Sequence, residues 1–152
     1  VTREHWNVHF KQISDERKEQ AVSSDDIERW INEQFPHIMF TNDASKQLKK
    51  EHSSIFLREI WDLCKELNEV IEKANRPISY KYIICKTNLE ISDESSTVKQ
   101  NDKLKRHRMR MYNKKRCFFG HHMKNFAGSK RVHFIIDNNK IVIGYLGKHL
   151  PI

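Results

Sequence analysis

The sequence predicts an α+β fold: an N-terminal helical half of two or three helices packed on a small, mostly antiparallel C-terminal sheet. Three observations predict it. Apolar residues recur at helical spacing through the first half, most clearly over 54–74. Beyond Pro77 the spacing shortens to two, the period of a half-buried strand. The last two apolar runs are joined by Asp137-Asn138-Asn139-Lys140, and asparagine tolerates the positive φ of a tight hairpin turn. With 152 residues the chain suits a single domain, 1–152, and its 38% apolar content allows a core of moderate size.

Trp6, Val8 and Phe10 alternate with polar residues and predict a short strand. A helix is expected over 25–35, capped by Ser24. Asp25, Asp26 and Glu28 suit its positive end, and Ile27, Trp30, Ile31 and Phe35 share a face. Pro36 ends it. A second helix starts near Asn42 or Asp43, with a break around His52–Ser54. Phe56, Ile60, Leu63, Leu67 and Val70 then define the longest helix, 54–74, terminated by Asn75-Arg76-Pro77. Ser79–Cys85 reads as a strand with Tyr80, Tyr82 and Ile84 on one side. Residues 90–103 carry the acids and hydroxyls of a loop, and 104–116 form a weak helix. Cys117–Phe119, Arg131–Ile136 and Ile141–Leu146 read as strands.

Charge divides the chain. Residues 1–75 hold 11 basic and 15 acidic side chains; residues 76–152 hold 17 basic and 5 acidic ones. Between Lys103 and Arg131 there are eleven Lys or Arg and no acid. Such a block repels itself unless an anion is near, and nucleic acid, RNA above all, is the expected partner through release of its counterions. Its contacts are expected from Lys103, Lys105, Arg106, Arg108, Arg110, Lys114, Lys115, Arg116, Lys130 and Lys148. The acidic helical half offers a surface for a protein partner.

Other classes are excluded. Fifteen Phe, Tyr and Trp side chains argue against a wholly disordered chain. No apolar run approaches the ~20 residues of a membrane span, so no membrane partner is expected. Cys64, Cys85 and Cys117 are odd in number and never paired as C-x-x-C, which rules out a disulfide scaffold and points to a reducing cytoplasm. Cys117, His121 and His122 lack a second close ligand pair, so neither a metal nor another cofactor is expected. No glycine-rich phosphate loop or nucleophile elbow is present.

The C-terminal stretch holds the residue types that metal-free RNA cleavage needs. A base must activate the 2′-hydroxyl, an acid must protonate the leaving oxygen, and a cation must stabilise the phosphorane. His121, His122, His133 and His149 suit the first two roles; Lys124 and Arg131 suit the third. Arg131 followed by Val132-His133-Phe134, the turn at Asn138-Asn139 and the late His149 resemble the RelE/YoeB-type ribosome-dependent endoribonuclease toxins. The resemblance implies a helical pair followed by a small antiparallel sheet, a catalytic Arg131, a proton carrier near the C-terminus, and Lys124 on the preceding strand. An antitoxin or another protein is the expected partner of the acidic helical half. The chain departs from that family in its greater length and larger helical half. Arg116-x4-His121 separately resembles the R-x4-6-H signature of HEPN-type ribonucleases, which belongs on a helix. The expected function is therefore that of an RNA-cleaving toxin or defence effector. The alternative is a non-catalytic module that binds or senses RNA, DNA or an anionic nucleotide on the same surface.

Overall fold

The structure, a computed structural model, describes residues 24–152; the strand expected at Trp6–Phe10 lies outside them. Helix α1 (Ser24–Gln34) buries Ile27 and Ile31 completely and hands the chain through buried Phe35 to strand β1 (Ile38–Phe40). Ser24 is its first residue rather than its cap. Thr41 caps α2 (Asn42–Lys49), its hydroxyl accepting from the Ala44 N–H at 3.2 Å. Ser53 caps α3 (Ser54–Lys73) in the same way, accepting from Phe56 at 3.2 Å. Each cap satisfies a backbone donor that a helix start would otherwise leave unpaired. The expected break before residue 54 is the gap between these two helices, and the apolar stripe of α3 forms the centre of the core: Phe56, Leu57, Ile60, Trp61, Cys64 and Leu67 are fully buried.

The next forty residues depart from expectation. Ser79–Cys85 is not a strand: Ser79 caps helix α4 (Tyr80–Lys86), accepting from Tyr82 N–H at 3.1 Å. Tyr80 and Ile83 then turn inward, three residues apart. The segment 90–103 contains a short strand β2 (Ile91–Ser92) and two five-residue helices, α5 (Ser96–Gln100) and α6 (Asp102–Arg106). Its polar side chains are the caps: Ser95 accepts from Val98, and Asn101 accepts from Lys103 and Leu104. The helix expected at 104–116 stops at Arg106. The chain then forms an antiparallel ribbon, β3 (Met109–Tyr112) and β4 (Lys115–Phe118), turning at Asn113 and Lys114 with φ of 50° and 63°. Two successive positive φ values match the turn that suits the right-handed twist of paired strands.

Three further strands complete the main sheet: β5 (His122–Met123), β6 (Lys130–Asp137) and β7 (Lys140–Lys148). The sheet is mostly antiparallel, as expected, with order β1-β7-β6-β5-β2; only β1 runs parallel to its neighbour β7. Asn138 and Asn139 adopt φ of 46° and 62°, so the terminal hairpin turns where the sequence places it. One face of the sheet carries Met123, Val132, Phe134, Ile141, Ile143 and Leu146 into the core shared with α3. Between His133 and Phe134 the pairing skips Gly144 of β7, a β-bulge. The β3–β4 ribbon sits over the other face. Tyr112 Oη donates to Asp137 at 2.6 Å, and the Arg110 guanidinium lies 5.3 Å from the Tyr145 ring centre. Among the described residues no helix is long and apolar enough to cross a membrane.

Candidate functional site

The basic segment separates into exposed and engaged cations. Lys103, Lys105 and Arg106 on α6, and Lys114, Lys115 and Arg116 on the ribbon, are exposed. Arg110 pairs with Asp43 at 3.6 Å, and Lys130 pairs with Glu51 at 2.5 Å beneath helix α3's Phe56. Arg108, expected on the surface, is 1% exposed. Its Nε lies 2.5 Å from Glu94 Oε2 as an ion pair, and its Nη1 donates to Leu104 O at 2.9 Å. It is therefore unavailable to a phosphate. A buried guanidinium persists only where its charge and donors are matched.

Glu94, with its side chain 5% exposed, faces two histidines between sheet and ribbon. His122 and His133 stand opposite each other on β5 and β6, and their rings stack with centres 4.9 Å apart. His133 Nδ1 donates to the carbonyl of Phe119 at 2.8 Å. His122 Nδ1 lies 2.9 Å from the carbonyl of Gly120 and 3.0 Å from Glu94 Oε1. A carbonyl can only accept, so Nδ1 carries the proton on both rings and Nε2 keeps its lone pair. Burial pushes the His133 pKa down to about 3, against the opposing pull of the Phe119 carbonyl. Burial likewise lowers that of His122, opposed by Gly120 and Glu94. His133, expected to move a proton at an exposed surface, is thus a buried neutral imidazole.

The remaining expected residues fall in two places. Register sets Arg131 across from Gly147 and Lys130 across from Lys148, with exposed His149 immediately after. Arg131 Nη1 donates to the carbonyls of Ser129 and Lys130 at 3.0 and 3.2 Å. His149 Nδ1 lies 2.6 Å from Leu150 O. Lys124 follows β5, its backbone N–H bonded to Glu90 O at 3.2 Å. His121 points away from His122: it stacks on Tyr80 with ring centres 3.5 Å apart and lies 3.9 Å from Asp93 Oδ1. Burial lowers its pKa, and Asp93 opposes the shift. The four histidines expected as one group therefore divide into a buried pair and two separate sites. Arg116 lies on a strand, so the helix that the R-x4-6-H signature requires is absent.

Sequence reasoning misses Glu94, which sits among the acids and hydroxyls of an expected loop. The available signal is its scarcity: it is one of five acids facing seventeen cations in the second half. No protein-family model, curated protein or solved structure matches the chain.

Proposed function

We propose that the protein binds nucleic acid, RNA in the first place, on its basic ribbon and the adjoining helix α6. The observation that carries this reading is the exposure of six cations there, while Arg108, Arg110 and Lys130 are held by acids of the chain itself. A two-stranded ribbon has the width to enter a nucleic-acid groove, and Lys114 and Lys115 at its tip would meet phosphates there. The preference for RNA comes from the resemblance of the terminal hairpin. Affinity for single- and double-stranded RNA and DNA, measured across a salt series, tests the proposal. Binding should weaken steeply with salt. A flat response, or no binding at low salt, overturns it.

A second reading adds cleavage, as in a toxin or defence effector acting without metal. It is favoured by the end of the hairpin, where Arg131, Lys148 and exposed His149 lie close in register. Arg131 would stabilise the phosphorane and His149 would carry the proton. RNA cut in the presence of chelator should then be cut about 10²–10³-fold more slowly by Arg131→Ala and 10²–10⁴-fold more slowly by His149→Ala. Absence of cleavage in the unaltered protein leaves binding alone. In the same reading the acidic helical half holds an antitoxin or another protein partner.

A further inference from the structure

We propose that Glu94, His122 and His133 form a binding site for one transition-metal ion, zinc being the best match. One donor atom from each residue lies within 4.8 Å of the other two, although the three come from the β2–α5 connection, β5 and β6. Two imidazoles and one carboxylate are the donor set that zinc and neighbouring transition metals take, whereas calcium and magnesium prefer oxygen alone. Zinc bonds of about 2.0–2.2 Å require the three donors to close slightly around the ion.

The setting of the three residues adds to their proximity. A metal-bound histidine usually donates its other ring nitrogen to a carbonyl or carboxylate, which fixes the ring and the tautomer. His133 is already held this way by Phe119 O and presents Nε2 in its ligating form, whereas His122 turns Nδ1 towards both Gly120 O and Glu94 Oε1. Glu94 is held too: Arg108 engages Oε2, and Oε1 lies 3.0 Å from His122 Nδ1. Three protein ligands leave a further position to water.

The site is independent of nucleic-acid binding, and its test uses the full chain without RNA. The protein is stripped with chelator, dialysed, and titrated with zinc chloride alone, with bound metal and thermal unfolding both measured. One zinc per chain and a raised unfolding temperature are expected. His122→Gln and His133→Gln should each weaken zinc binding by at least about 100-fold, the upper end of what loss of a mere supporting contact costs. His121→Gln and Cys117→Ser should leave it unchanged. Cobalt in place of zinc in the unaltered protein provides a readout that needs no variant: its spectrum should show nitrogen and oxygen ligation without thiolate charge transfer. Failure to bind zinc at about tenfold molar excess, a thiolate signature, or full binding by folded His122→Gln and His133→Gln proteins would each overturn the proposal.

Discussion

Gly144 has no room for a side chain. A Cβ built there would stand 2.5 Å from the ring of Phe119, which is fully buried. The residue lies in the β-bulge, so the missing side chain lets Phe119 close over the sheet just before His121 and His122. Gly144→Ala should destabilise the protein by about 1–3 kcal/mol, the usual cost of overpacking, measured by urea unfolding. Arg108 and Glu94 present the opposite problem, since neither charge can be removed alone without leaving its partner buried and unmatched. Arg108→Ala should cost about 3–5 kcal/mol in metal-free protein, and the double change Arg108→Met with Glu94→Leu should cost clearly less. Equal losses in the single and double variants would show that the pair is not the source of the effect. Sequence alone does not separate Arg108 from its neighbours. Eleven similar cations stand in the run, and burial is decided by an acid fourteen positions upstream that only the fold brings near.

At the level of elements, long periodic segments are legible in the sequence and short ones are not. Helix α3 and the β6–β7 hairpin carry enough repeats, and a strong enough turn signal, to exclude other readings. Tyr80–Lys86 spans seven residues, over which spacings of two and of three to four both fit; the hydroxyl of Ser79 decides for helix. In the ribbon, Met109 and Met111 alternate with Arg110 and Tyr112, but the turn holds Lys114 at positive φ where Gly is usual, so the hairpin signal is faint. The ribbon is tied to the end of the terminal hairpin by Tyr112, whose hydroxyl donates to Asp137. That bond, aided by burial, raises the Tyr112 pKa above its usual 10, and burial raises that of Tyr145 as well. A raised tyrosine pKa favours the neutral folded form. The stability it lends is complete below about pH 10, where the unfolded side chain ionises, and is lost as pH rises further through the folded values. Unfolding temperature should therefore fall above pH 10, and less steeply in Tyr112→Phe. An identical alkaline profile in that variant would show that the ribbon is held by other contacts.

Across the whole molecule, the division of charge is legible in the sequence, while its distribution between internal pairs and open surface is not. The acidic half reaches across to engage the basic one: Asp43 of α2 takes Arg110, and Glu51 takes Lys130. These pairs link α2 to the ribbon and the α2–α3 connection to β6, and they subtract from the charge available to a partner. Six of the exposed cations lie on α6 and the ribbon. Two kinds of cation substitution should therefore act differently. Replacing Lys114, Lys115 and Arg116 together by Ala removes up to three phosphate contacts. The slope of log affinity against log salt should become shallower by about two to three, with little change in stability. Lys130→Ala removes a cation already matched by Glu51, so it should lower stability and leave the slope unchanged. Filter binding or fluorescence anisotropy over a salt series, paired with urea unfolding of each variant, reads both quantities. If Lys130→Ala flattens the slope as much as the ribbon variant does, the polyanion contacts the sheet end rather than the ribbon, and Arg131, Lys148 and His149 become the surface to map.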